Sequence, residues 1–299
     1  MRTPSDPPGS AAALGRRAFL IGAATTGVLA ACGSDGGDDG GGSAASGDGL
    51  APDTYTVVQR FPQSVAVPGE VRLPFSLAGT DAQFVVDGPS TLGAQVLDAD
   101  SAPLGPRIEA VRRDVAPAPY YAFRPVVEAP GVYTLVIDGG PPTGAAFQVF
   151  ASDEVAVPHP GQQLAAFDTP TVGDARGVDP ICTRDPACPF HAITLTEALE
   201  LDRGVVYLVG TPAFCQTGSC TPALEATIEV SEEYADRFAF VHAEVFTDGT
   251  ATTVAPAVDA VEMTYEPAVF ITDATGAIVE RLDGLWDATE LRERLDAVG

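Results

Sequence analysis

From about Thr54 to Ser152 the apolar residues recur at every second position in short runs: TYTVVQRF, GEVRLPFSLA, AQFVVDG, GAQVLDAD, RIEAVRRDV, YYAFRPVVE, GVYTLVIDG and AAFQVFAS. Each run is closed by Pro, Gly or Asp. A period of two sends successive side chains to opposite faces of a strand, and turn residues every ten or so positions set strand rather than helix lengths. Residues 52–155 are therefore expected to form an antiparallel β-sandwich. The chain has 299 residues, 45% of them hydrophobic, which is enough for a second domain with its own core.

After that half the texture changes. Residues 156–185 are rich in Pro and Gly without a sustained period and read as an extended linker, with His159 solvated between two prolines. Residues 186–299 alternate between element types: a helical ITLTEALEL capped by Thr194, an apolar strand GVVYLVG, a helix PALEATIEVSEEYADRF with acidic first turns, and a strand FAFVHAEVF. An insertion of about eighteen residues follows. A hairpin EPAVFITDATGAIVERLDG turning at Asp273–Gly276 then leads into an amphipathic helix DATELRERLDAV capped by Asp287. The order is β-α-β followed by β-β-α.

The N-terminus carries a different message. GRRAFLIGAATTGVLAAC runs from Arg16-Arg17 through a short apolar stretch to Leu29-Ala30-Ala31-Cys32. The apolar part is too short to span a bilayer, and the order is that of a cleavable export signal over residues 1–31. Its RRxFL core resembles twin-arginine signal peptides, and Leu-Ala-Ala-Cys resembles the bacterial lipobox, which implies lipidation of Cys32 and a place on the extracytoplasmic face of the cell membrane. The Gly/Ser/Asp stretch over 32–51 is expected to be a flexible tether. A net charge of −25, from 41 acids against 16 bases, makes nucleic-acid binding a poor expectation.

Two further resemblances rest on particular residues. EAPGVYTLVIDG is similar to the late strand of immunoglobulin-like domains, where a turn delivers an aromatic into a strand. The order of elements after Ala192, the Cys215/Cys220 pair between the first core strand and its helix, Pro267 at the head of a late strand and the closing helix all resemble the thioredoxin fold. That resemblance implies Cys215 as the exposed catalytic nucleophile, Cys220 as its resolving partner, and Phe214, Glu266 and a cis Pro267 as the residues lining the substrate. A helix N-terminus favours a thiolate through its free N–H groups and partial positive charge. The sequence departs from thioredoxins in one respect: four residues rather than two separate the cysteines. On a continuous helix residues five apart diverge, so the pair requires an unwound turn, which Gly218 eases. The same spacing occurs in atypical peroxiredoxins of the bacterioferritin-comigratory type, although no Arg is placed for peroxide. Copper chaperones of the thioredoxin fold are a further comparison, with His242 in the place of their distant His.

Apart from Cys32, four cysteines remain. In an exported protein an even number implies disulfides with three possible connectivities, of which Cys182–Cys188 and Cys215–Cys220 need the least rearrangement. The first pair, in CTRDPACPFH, is expected to be a structural staple. A sharper expectation has its loop fold over the active site, bringing Cys188 or His191 near Cys215. The spacings do not follow the C-x2-C zinc pattern, so neither a metal nor another cofactor is expected. The function expected is a membrane-tethered thiol-disulfide oxidoreductase acting on exported proteins that carry thiols or disulfides. The competing expectation is a non-catalytic module whose disulfides are permanent.

Overall fold

In the computed structural model the described residues are 55–298. The expected signal, the expected lipidation site Cys32 and the whole of the expected tether lie outside them. Among the described residues no helix is long and apolar enough to cross a membrane.

The first half supplies nine strands: β1 (Thr56–Gln59), β2 (Gly69–Glu70), β3 (Leu73–Ala78), β4 (Thr91–Leu97), β5 (Pro103–Arg113), β6 (Tyr120–Phe123), β7 (Val126–Val127), β8 (Gly131–Ile137) and β9 (Ala145–Val149). Every pairing among them is antiparallel. Seven form one sheet in the order β1-β3-β6-β5-β4-β8-β9, and β2 pairs with β7 alone. β5 joins the two halves of the large sheet, pairing with β4 along most of its length and with β6 through Arg112 and Arg113. Leu73, Phe75 and Leu77 of β3 share a single core with Leu92, Ala94 and Val96 of β4 and Leu135 and Ile137 of β8, so both halves bury side chains in one place. The period-two pattern has its physical cause here, since β4 alternates buried and partly buried residues along its length.

The second half forms a four-stranded sheet from β10 (Gly204–Val209), β11 (Phe238–Ala243), β12 (Ala268–Thr272) and β13 (Ile278–Asp283), in the order β11-β10-β12-β13. β10 and β11 are parallel and the other pairings antiparallel. Four helices accompany it: α1 (Leu195–Leu199), α2 (Cys220–Ser231), α3 (Pro256–Ala260) and α4 (Ala288–Ala297). β10 is buried at all six positions. Its odd residues, Val205, Tyr207 and Val209, pack with Leu195 and Ala198 of α1 and Ala257 and Val258 of α3. Its even residues, Val206 and Leu208, pack with Ala223 and Leu224 of α2 and Leu291 and Leu295 of α4. A strand covered on both faces has no polar side, which explains its continuous apolar run.

The expectations for the helix after the cysteine pair, the linker and His159 need correction, and the insertion gains a helix. The helix after the cysteine pair starts at Cys220 and has no acid in its first turn; Glu225 and Glu229 come later. The insertion before β12 contains α3, entered through Pro256 in the first turn, where a missing N–H costs nothing. Residues 156–185 are not a free linker. Leu164 donates to the carbonyl of Gly276, Gly161 donates to that of Ile278, and Ile278 returns a bond to Gln162, so the stretch runs along the β12–β13 hairpin. Val157, Leu164, Val178 and Cys182 are buried along it. So is His159, whose ring nitrogens lie 3.1 Å from the carbonyl of Pro160 and 3.3 Å from that of Ser152.

The two halves meet through Arg72 and Glu290. The guanidinium holds both carboxylate oxygens at 2.8 Å and donates to the carbonyls of Asp283 and Leu285. Tyr120 donates to the same carboxylate at 2.6 Å, and Arg124 adds a third cationic contact. Burial works against the Glu290 charge, but Arg72 outweighs it and the carboxyl sits well below its usual range. Removing one member of a buried pair leaves the other uncompensated, so Glu290→Gln should cost about 3–5 kcal/mol in urea unfolding at neutral pH. A group with a depressed folded pKa stabilises above its unfolded value and loses that contribution as pH falls. The wild-type urea midpoint should therefore fall below about pH 4.3, the ordinary glutamate value, more steeply than that of Glu290→Gln. Parallel curves for the two proteins would show that the pair does not carry the acid sensitivity.

Candidate functional site

The carboxyl end of β10 runs into Gly210-Thr211-Pro212, and the chain then loops through Phe214 and Cys215 to the start of α2. Cys215 lies in the loop and is half-buried, whereas Cys220 opens the helix and is buried. Gly218, at φ +69°, makes the turn between them, a conformation that glycine adopts without a Cβ clash. The expected unwinding is thus achieved before the helix begins, and the N–H of Cys220 donates to the Cys215 sulfur at 3.3 Å. The Thr217 hydroxyl lies 3.2 Å from the same sulfur.

These contacts set the charge on Cys215. The hydrogen bond from the Cys220 thiol is the main cause holding its pKa down to about 4; the Thr217 hydroxyl and the N–H groups of Cys220 and Ser219 add to it, and burial opposes it. Cys220 is pushed the other way, because it keeps the shared proton and is buried beside Glu266. The Cys220 sulfur is 3.3 Å from Glu266 Oε2, and the Thr211 N–H donates to the same oxygen at 2.8 Å. Burial raises the Glu266 carboxyl to about 7, against the pull of the Thr211 N–H. The Glu266–Pro267 peptide is cis.

A cleft of about 250 Å³ opens beside this group. Thr217, Ser219, Tyr265 and Glu266 line one side, and Gln59–Pro62 from the end of β1 line the other. Phe214 does not line it; its ring meets Phe246 edge-on at 6.1 Å.

The second pair of cysteines lies elsewhere than expected. Cys182 and Cys188 carry free thiols in this structure, as do Cys215 and Cys220. The sulfurs of Cys188 and Cys182 are turned toward the imidazole of His242 on β11, at 3.4 Å and 3.9 Å from Nδ1. His191 Nε2 reaches the same Nδ1 at 3.1 Å. All four residues are buried. Cys188 and His191 therefore gather round His242 and not round Cys215. The sequence resemblance gave His242 only as the counterpart of the distant His of copper chaperones. The available signal covered three of the four: Cys182, Cys188 and His191 fall within ten residues, whereas His242 comes from the strand parallel to the one that delivers Gly210.

No protein-family model matches the chain, and no curated protein matches it. The site is therefore read from its own chemistry.

Because the Cys220 thiol is the largest contributor to the low Cys215 value, Cys220→Ala should move the Cys215 titration midpoint upward, and Thr217→Val should move it by less. Ultraviolet thiolate absorbance followed against pH measures both. An unchanged midpoint in Cys220→Ala would show that the loop alone sets the thiolate.

Proposed function

We propose that the protein is a thiol-disulfide oxidoreductase of thioredoxin-like type, tethered outside the cytoplasm through a lipid on Cys32 and acting on exported proteins that carry thiols or disulfides. The observation that carries the reading is the asymmetry of the Cys215/Cys220 pair: a partly exposed sulfur favoured as thiolate beside a buried, protonated one that touches a carboxylate. The strand order β11-β10-β12-β13, the helix after β10 and the closing helix α4 support the thioredoxin-like assignment. The folded-over antiparallel sheet supports an immunoglobulin-like sandwich before it.

In the reductive direction the Cys215 thiolate attacks one sulfur of a substrate disulfide. A Cys215–substrate disulfide forms, and the other substrate sulfur leaves as a thiolate. Glu266 then takes the proton from Cys220, whose sulfur attacks Cys215. The Cys215–Cys220 disulfide forms, and the second substrate sulfur leaves with the two electrons that the enzyme has lost. The cleft floored by Thr217 and Ser219 receives the substrate chain, and the end of β1 gives the β-sandwich a direct role as its far wall.

Cys220→Ser should trap a mixed disulfide between Cys215 and its substrate, detectable on non-reducing gels and lost in the Cys215→Ser/Cys220→Ser double variant. Disulfide-reductase activity that survives Cys215→Ser unchanged would overturn the reading. Glu266 acts as a base only when ionised, so wild-type resolution should accelerate as pH rises through about 7. In Glu266→Gln it should be slower and lack that limb in single-turnover kinetics.

A further inference from the structure

We propose that Cys182, Cys188, His191 and His242 form a closed tetrahedral site for a zinc-type divalent cation. The inference is independent of the redox reading of Cys215 and Cys220. Two sulfurs and two imidazole nitrogens converge, with all four donor atoms within 4.8 Å of one another and all four residues buried. The three separations that radiate from His242 Nδ1 are close to the edges of a coordination tetrahedron. With Zn–N of about 2.0–2.1 Å and Zn–S of about 2.3 Å, its edges come to about 3.3 Å between nitrogens and about 3.6 Å between nitrogen and sulfur. The observed edges are 3.1 Å for His191 Nε2 to His242 Nδ1, and 3.4 and 3.9 Å from that Nδ1 to the two sulfurs.

The surroundings favour ligation. His242 Nε2 lies 2.9 Å from the carbonyl of Gly210, so its proton is held there and the Nδ1 lone pair faces the sulfurs. A backbone carbonyl on the distal nitrogen is the usual orienting partner of a metal-bound histidine. The Cys188 N–H points at the Cys182 sulfur at 3.3 Å, the kind of donor that steadies a bound thiolate. Two thiolates and two neutral imidazoles balance a divalent charge, and binding releases the two thiol protons. Four protein ligands leave no open position, so the ion is structural. It would fasten the irregular Cys182–His191 stretch to β11, directly behind the Gly210–Thr211 turn.

A second donor group, Cys215, Cys220 and Glu266, offers only three ligands, and the test must separate the two. The full chain carrying Cys215→Ser and Cys220→Ser, purified under reductant without chelator, should contain about one equivalent of zinc by elemental analysis. Loaded with Co2+, the same protein should show tetrahedral ligand-field bands and sulfur-to-metal charge transfer. X-ray absorption at the metal edge should give two sulfur and two nitrogen neighbours. Adding Cys188→Ser should abolish the zinc content. That loss is not needed for the conclusion if the variant fails to fold, since the coordination count comes from the folded parent. Overturning results are zinc lost on substituting Cys215 and Cys220, copper in place of zinc in the isolated protein, or reduced protein that takes up no Co2+.

Discussion

The bidentate contact between Arg72 and Glu290 is where the two sheets become one molecule. Arg72 leads from β2 into β3, and Glu290 sits in the first turn of α4, 218 residues further along. The contact succeeds because the charges are well partnered: Arg72 also donates to the carbonyls of Asp283 and Leu285, and Tyr120 and Arg124 complete the carboxylate. A buried charge pair short of such partners would cost more in desolvation than its attraction returns. The same junction brings the end of β1 against the turn after β13. There the carbonyl of Arg60 lies 2.2 Å from where a Cβ on Gly284 would stand, so only glycine fits. Since Gln59–Pro62 line the same cleft as Thr217, Ser219 and Glu266, the junction also shapes the candidate site.

Gly210 and Thr211 occupy a similar position within the second half. The carbonyl of Gly210 faces His242, while the N–H of Thr211, one residue later, faces Glu266. One peptide unit thus orients an imidazole in one sulfur cluster and a carboxylate in the other. A Cβ at Gly210 would lie 3.1 Å from Pro267 and 3.7 Å from the Cys220 sulfur, so the bare backbone is what lets the turn pass so close. Thr183 strengthens the link, with its hydroxyl accepting from the Ala213 N–H and donating to the buried Glu244.

Much of this was legible in the sequence, for identifiable reasons. Thr194 and Asp287 cap their helices because short oxygen-bearing side chains reach the N–H of the residue three positions on, here Glu197 and Glu290. Gly204–Val209 reads as a strand because both of its faces are covered. The spacing of Cys215 and Cys220 called for a turn outside the helix, and Gly218 supplies it. What the sequence hid is non-local. Nothing in VAVPHPGQQLAAF signals that it runs beside the β12–β13 hairpin, since irregular backbone satisfied by a distant strand has no period of its own. The convergence of His242 on Cys182 and Cys188 spans more than fifty residues and depends on the parallel register of β10 and β11, which pairs Leu208 with His242.

The two sulfur clusters also explain each other. Four free thiols in one small domain could oxidise into any of three pairings, and only one leaves Cys215 and Cys220 joined. The fold discriminates among them by position: Cys182 and Cys188 are buried with the His242 imidazole within 3.9 Å of both sulfurs, while Cys215 is the thiol among the four that is not fully buried. Thiol exchange needs an accessible thiolate. Sulfurs held by a cation and by the imidazoles of His191 and His242 would be withheld from that exchange, so oxidation would be directed to the pair whose geometry already supports it. A cluster that contributes no chemistry of its own would then determine which chemistry its neighbour performs.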